Sequence, residues 1–369
     1  VIITVTGDWH FRTTGMFSRP LSDGLTTAAE AGFEFLNWLD RQMARWDSSV
    51  ILHCGDLFDQ RTAISIPLYN RTLDELSRFL EGRIMLVIPG NHDRYSRSND
   101  SIHSIYVLGQ ALDNLKVLDG TPITHFNLTA GDEDLIISGI PAGVAAEAIK
   151  GGSGIDRNTG GLARRILMIH ENIVGAKFES GKRAEKGIVE RDLREWMRQH
   201  RYTVCFCGDI HIPRALNRAE PEIIMVGAPY GFNFGDAGQN RGVWKFDTDT
   251  GVSEPVWYED GPIYMTATDE NFDETVGLIK DIFDAGRATW DIFVRFRLRD
   301  PARVAEAQKL KERYTNILIE YREEDDGRTV EVGAWDESTI LAEYVAGHVE
   351  DEETARGVLE IGLYYLEEV

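Results

Sequence analysis

The sequence predicts an α/β fold built on a largely parallel sheet. Short β-branched, apolar runs recur along the chain, stretches with helical spacing lie between them, and each run breaks off in a polar cluster. Continuous apolar runs of this length read as strands buried on both faces, and strand–helix alternation places helices over them. The third observation is composition. With 43% hydrophobic and 27% charged residues among 369, the chain has ample material for a core. At about 150 residues per domain it divides into two or three.

The elements follow in order. Val1–Val5 ends in Gly7-Asp8-Trp9-His10, and Phe33, Leu36, Leu39 or Asp40, Met43 and Trp46 then recur at helical spacing. Val50–His53 runs into Gly55-Asp56-Leu57-Phe58-Asp59, and a second helical pattern (Leu73, Leu76, Leu80) comes after Pro67. Ile84–Ile88 ends in Gly90-Asn91-His92-Asp93, and Ile166–Ile169 ends in His170. Val189, Leu193, Trp196 and His200 space a third helix before Val204–Phe206, which ends in Gly208-Asp209-Ile210-His211. Ligands of parallel sheets bind beyond the carboxyl ends of the strands, so the five clusters should converge. The glycines let each loop turn sharply and bring backbone close to the site.

Asp, Asn and His without thiolate suit Mn²⁺, Fe²⁺ or Zn²⁺. The ligands are too many for one ion. One carboxylate can bridge two ions about 3.5–4 Å apart, as in two-metal sites that cleave phosphate esters. A lone His or Asp at a strand end is usually a cap, but five such ends, four with His, leave little room for coincidence. His53, His103, His125, His200 and His348 read as core or surface residues, and Cys54 and Cys207 as strand-end packing.

Three cysteines make neither a disulfide framework nor a zinc knuckle and point to buried thiols in a reducing cytoplasm. No run of about 18 apolar residues occurs, which excludes a membrane-spanning helix. Val1 to Thr6 is strand-like and has no basic start, so no signal peptide is expected. The net charge is −22, of which −13 falls on residues 323–369. That acidic tail points to a partner of its own, and net charge does not decide whether a local basic stripe elsewhere binds DNA.

After about Asp260 the pattern changes. Ile292, Val294, Phe296 and Leu298 alternate with Phe293, Arg295, Arg297 and Arg299, giving one apolar face and one arginine stripe. Pro301 opens a helix, and Ile317–Tyr321 reads as the return strand. Residues 323–335 form an acidic linker. Two amphipathic helical segments follow, about 337–347 and 352–367, and such a pair wants a partner surface.

GDWH, GDLFD, GNHD, an isolated His and GDIH, in this order, resemble the calcineurin-like metallophosphoesterases. Within them GDLFDQRTAI, Gly227-Ala-Pro-Tyr-Gly and GDAGQNRGVWKFDTDT resemble the SbcD-type DNA repair nucleases, in particular the recombination endonuclease subunit of tailed phages. The resemblance spans nearly the whole chain and is strongest over residues 1–260. It implies a metallophosphoesterase αββα sandwich (1–260), a small α+β capping domain that brings DNA to the site (261–322), the acidic linker (323–335), and a C-terminal helical pair (336–369) that binds a coiled-coil ABC ATPase of SbcC type. It also implies a homodimer, for which helices at 67–81 and 101–112 are candidates, and a location in the cytoplasm, that of the host if the chain is phage-encoded.

Carried over residue by residue, the resemblance puts Asp8, His10 and His211 on a first metal, Asp56 between two, and Asn91 and His170 on the second. The ions would be Mn²⁺, with Mg²⁺ as the alternative. The family's Gly-His-x-His reads Gly-Asp-x-His here, so Asp209 would be a harder, more negative ligand of the second ion. His92 would protonate the leaving oxygen as a general acid. Asp59 would be its orienting carboxylate. Arg295, Arg297 and Arg299 would contact DNA. The activities implied are 3′-to-5′ exonuclease and single-strand endonuclease. The rivals are a phosphomonoesterase or cyclic-nucleotide phosphodiesterase on the same core, which needs no arginine-striped accessory domain, and a non-catalytic DNA-end scaffold.

Overall fold

The computed structural model describes residues 1–96, 102–130, 133–151, 163–178, 181–216, 220–284, 292–314 and 316–321. The expected linker (323–335) and helical segment (336–369) lie outside the described residues. No described helix is long and apolar enough to cross a membrane.

The first half alternates as expected: β1 (Ile2–Thr6), α1 (Thr27–Trp46), β2 (Val50–His53), α2 (Ile66–Phe79), β3 (Ile84–Val87), α3 (Tyr106–Ala111) and β4 (Leu115–Val117). α1 begins where the Thr26 side chain accepts from the Ala29 N–H. α2 begins where Ser65 caps Leu68, with Pro67 in the first turn, where its missing N–H costs nothing. Then come β5 (Thr124–Ala130), β6 (Glu133–Ile140), α4 (Ala145–Lys150), β7 (Arg164–His170), α5 (Glu190–Gln199), β8 (Val204–Gly208), β9 (Arg214–Leu216), β10 (Glu222–Met225), β11 (Gly242–Asp247) and β12 (Val252–Trp257).

The strands make two sheets, as the expected αββα sandwich requires, where strand–helix alternation alone had suggested a single largely parallel sheet. The first has the order β12-β11-β1-β2-β3-β4 and the second β5-β6-β7-β8-β10-β9. The first is parallel from β1 to β4 and antiparallel at its β11–β12 edge; the second has a parallel centre (β6, β7, β8 and β10) and antiparallel strands at both edges. Alternate side chains show why both faces are apolar. Ile3, Val5, Leu52 and Leu86 point inward and meet Ile137, Ile166, Met168 and Phe206 of the second sheet. Ile51, Met85 and Val87 face outward under Phe33, Leu36 and Leu76 of the helices. Leu167, Ile169 and Cys205 cover the other outer face with Leu193, Trp196 and Met197. The result is an αββα sandwich. Phe206, fully buried between the sheets, is its single most telling side chain: truncation to Ala would cost about 3–5 kcal/mol.

A small α/β domain follows, made of β13 (Ile263–Thr268), α6 (Phe272–Asp284), β14 (Ile292–Leu298), α7 (Pro301–Arg313) and β15 (Ile317–Tyr321). Its three strands are all parallel, with β14 central. Its own core holds Phe272, Ile279, Val294, Phe296, Leu298 and Leu310.

Candidate metal centre

The carboxyl ends of β1, β2, β3, β7 and β8 converge from both sheets. The loops after β1 and β2 lie zipped together: Asp8 N donates to the Gly55 carbonyl (2.8 Å), His10 N to that of Asp56 (3.0 Å) and Phe11 N to that of Leu57 (2.9 Å). Four side chains at the site sit on left-handed backbone, Asp8 (φ 52°), His10 (46°), Asp56 (58°) and Asp209 (85°). Asp and His tolerate this region better than most residues, yet each position stores strain that the surrounding packing must hold. Two glycines permit the approach. A Cβ on Gly55 (φ 95°) would lie 2.4 Å from His170 Nδ1, and one on Gly90 would lie 2.0 Å from Asp56 Oδ1.

The seven expected ligands are brought together. Asp56 Oδ2 stands 3.6 Å from His10 Nε2 and 3.4 Å from His170 Nε2, between two groups of donors. On one side, His10 Nε2 and His211 Nε2 face each other at 3.2 Å, and Asp8 completes a tight cluster with them. On the other, His170 Nε2 lies 3.2 Å from Asn91 Oδ1. His170 Nδ1 donates to the Cys54 carbonyl (2.7 Å), which leaves Nε2 as the lone-pair nitrogen facing the site. Asp209 is one step further out. Its Oδ1 is 3.7 Å from His170 Nε2, and its N–H donates to Asp8 Oδ1 at 3.1 Å.

The donor set fits two divalent cations. Asp8 Oδ2 is buried without a partner, and Asp8 and Asp56 are essentially inaccessible to solvent. Buried carboxylates this close need positive charge. The electrostatics say the same. Burial, reinforced by Asp56 and Asp209, pushes Asp8 up. Burial would also raise Asp56, but His170, His10 and His92 hold its carboxylate far below the usual range. Burial opposes charge on His170, yet Asp56, Asp209 and Asp8 push it well up. His211 goes the other way, down, through burial and the neighbouring His10.

His92 lies beside His10, ring centroids 4.9 Å apart, and its N–H donates to Asp56 Oδ1 at 2.8 Å. The expected pairing with the Asp59 carboxylate takes another form. His92 Nδ1 meets the backbone carbonyl of Asp59 at 2.6 Å, while the carboxylate faces His10 Nδ1 at 3.3 Å. The zipping of the β1 and β2 loops, with Asp59 N on the Phe11 carbonyl, turns that side chain toward His10. The arginine stripe is also partly taken up within the chain. Arg295 lies over the Phe234 ring and donates to Thr266, Arg297 pairs with Glu320 at 2.8 Å, and Arg299 stands exposed just past the end of β14.

Several residues of the site were not assigned from sequence. Asp93, the last residue of GNHD, is buried and accepts the N–H groups of Asp56, Leu57, Phe58 and Gly90, at 2.8–3.2 Å. It shapes both loops, and its place in the motif was a usable signal. Phe232 packs edge-on against His10 (5.3 Å) and His211 (5.5 Å). A buried pair, Arg241 and Asp236, holds it there. Arg241 donates to Asp236 and to the His211 carbonyl, and Asp236 Oδ2 accepts from Phe232 N and Asn233 N. Arg12 closes over the Phe232 ring at 4.6 Å.

The calcineurin-like phosphoesterase family matches residues 2–213, more than half of the chain. No curated protein matches it significantly. Among solved structures the chain is similar to an archaeal phosphodiesterase, at 10% identity over 70% of this chain and 100% of that one, with a TM-score of 0.34. It is also similar to a dimetal phosphatase from Danio rerio, at 9% identity over 66% and 91%, with a TM-score of 0.41. The chain, with its carboxylate–imidazole centre at the mouth of an αββα sandwich, belongs to the calcineurin-like phosphoesterases.

Proposed function

We propose that the chain is a DNA nuclease dependent on two divalent metals, Mn²⁺ or Mg²⁺, acting 3′ to 5′ on duplex ends and endonucleolytically on single strands. The observation that carries the reading beyond phosphoester hydrolysis is the small domain docked on the rim of the site. Tyr264 OH donates to the Phe232 carbonyl at 3.0 Å, and Phe293 faces Phe17 with ring centroids 6.0 Å apart. A phosphomonoester or cyclic nucleotide needs no second domain beside the metals. A polymer that extends past the reacting phosphate can use one.

Asp8, His10 and His211 would hold one ion, Asn91, His170 and Asp209 the other, and Asp56 both. When bound, such ions supply Lewis acidity toward the phosphate oxygens and lower the pKa of a water. The chain supplies the proton chemistry. The Asp59 carbonyl can only accept, so the Nδ1 of His92 carries a hydrogen. Nε2 is then the nitrogen that gains and gives up the catalytic proton, delivered to the departing 3′ oxygen. The products are 5′-phosphorylated nucleotides and a 3′ hydroxyl end.

In the same reading the chain is the catalytic subunit of a double-strand-break repair and recombination complex. Residues 336–369 bind a coiled-coil ATPase of SbcC type, and two copies associate through the surface near α2 and α3. Exposed Ile66, Ile102, Tyr106 and Val107 support that dimer face.

Cleavage of end-labelled linear duplex in Mn²⁺ against EDTA, with and without the ATPase, tests the proposal. Metal-dependent release of 5′-mononucleotides supports it. Hydrolysis of p-nitrophenyl phosphate without DNA cleavage would establish the phosphomonoesterase reading instead, and DNA binding with neither activity the scaffold. Deleting 336–369 should abolish co-purification with the ATPase and leave Mn²⁺-dependent cleavage of single strands.

A further inference from the structure

A chain of net charge −22 that acts on DNA needs a local cationic surface. Arg295 and Arg297 of the strand stripe are engaged by Phe234, Thr266 and Glu320. A different surface stands immediately beyond the metal centre. The chain leaves His170 at the end of β7 and doubles back on itself before α5. Gly175 N bonds to the Ala184 carbonyl (2.8 Å), Ala184 N to that of Ala176 (2.8 Å) and Phe178 N to that of Lys182 (2.9 Å). Between Asn172 and Val189 this hairpin has four cations, Lys177, Lys182, Arg183 and Lys186, against two acids. All four cations are exposed.

Its root is fixed to the site. Ile173 and Ile188 are buried in the core of the second sheet. Ile188 N donates to the Asn172 carbonyl (2.8 Å), two residues from the ligand His170. Gly187, at φ 129°, allows that closure, because a Cβ there would lie 2.0 Å from the same carbonyl oxygen.

The charges are arranged at a cost. Lys177 and Arg183 are directly paired across the hairpin. The hydrogen bonds on either side of them, Ala184 to Ala176 and Phe178 to Lys182, make this a non-hydrogen-bonded pair, in which opposed side chains come closest. Like charges directly opposite each other destabilise a ladder. Among the described residues neither Lys177, Arg183 nor Lys186 has a carboxylate within ion-pair distance; Arg183 donates only to the Gly175 carbonyl. An anion that arrives with the substrate would relieve this like-charge pair, which is rooted on the loop after His170.

We propose that the two arms of this hairpin, 172–178 and 181–188, are a phosphate-backbone clamp, in which Lys177, Arg183 and Lys186 hold the DNA strand running away from the reacting phosphate. This rests on the nuclease reading and adds to it where the polymer lies.

The test compares the full-length chain with the triple variant Lys177→Ala/Arg183→Ala/Lys186→Ala, and with the charge-keeping variant Lys177→Arg/Lys186→Arg. Binding of a labelled duplex is read as anisotropy across a salt series, with far-UV circular dichroism as the folding check. Each neutralised phosphate contributes about −0.9 to the slope of log affinity against log salt. The triple variant should lose up to about 3 units of slope, and the charge-keeping variant should retain it. A wild-type slope that survives in a folded triple variant overturns the clamp while leaving the nuclease reading intact. A wild-type chain that neither binds nor cleaves DNA overturns the nuclease reading itself. A triple variant that binds DNA as tightly as wild type, or more tightly, would also overturn the clamp.

Discussion

Replacing Arg241 with Ala should damage the metal centre without touching a ligand. The side chains of Arg241 and Asp236 are 5% and 2% exposed. The guanidinium joins three things: the Asp236 carboxylate, the His211 carbonyl and, at 3.3 Å, Gln239 Oε1. Removing one partner of a buried ion pair costs about 3–5 kcal/mol, chiefly through the uncompensated charge left behind. Here the low end, about 3 kcal/mol, applies, because Asp236 Oδ2 still accepts from Phe232 N (2.6 Å) and Asn233 N (3.0 Å). The His211 carbonyl also keeps the Ala228 N–H at 3.0 Å, so its loop should loosen without unfolding. Loss of a group that orients a metal ligand typically lowers metal affinity about 10–100-fold, and the ion on His211 should be the one affected. Urea unfolding gives the stability change, and Mn²⁺ titration followed by electron paramagnetic resonance gives the affinities. Asp236→Ala and the double variant complete a cycle, in which the double loss should fall short of the sum by about 1–3 kcal/mol. Stability within about 1 kcal/mol of wild type, together with an unchanged Mn²⁺ titration, would refute the reasoning.

Three further outcomes follow from the centre. Asp56→Asn should weaken both ions together, because Oδ2 stands between His10 and His170, whereas Asp8→Asn should weaken mainly the ion on His10 and His211; anomalous scattering from Mn²⁺-soaked crystals distinguishes them. Asp209→Ala should lose the second ion and Asp209→His should keep it; equal two-metal occupancy in the Ala protein would remove Asp209 from the ligand set. His92→Ala should keep metals and DNA binding but slow single-turnover cleavage by about 10²–10⁴-fold, the usual worth of a positioned acid or base, and near wild-type turnover would exclude it from the chemistry.

The sequence by itself determined the local events. A β-branched run that stops at Gly-Asp or Gly-Asn announces both a strand and the loop beyond it. The α1, α2 and α5 patterns were legible because burying one helix face imposes its own spacing. The donors of the site could be read for the same reason, since each belongs to a strand end that forms within a few residues of itself. Partner choice across the chain was not local, and only the tertiary structure decided it. An apolar strand is equally satisfied in one sheet or two, so periodicity could not show that Phe206 faces Leu52 across a sandwich. Whether the Asp59 carboxylate meets His92 or His10 depends on how the β1 and β2 loops zip together, about 45 residues apart in sequence. Cations look alike in a sequence. Arg297 is matched by Glu320 from the adjacent strand, and Arg241 by Asp236 beneath Phe232, while Lys177 and Arg183 are set opposite each other across a hairpin. Charge acquires a role when folding selects its neighbours, because electrostatic energy depends on distance and burial rather than on order along the chain.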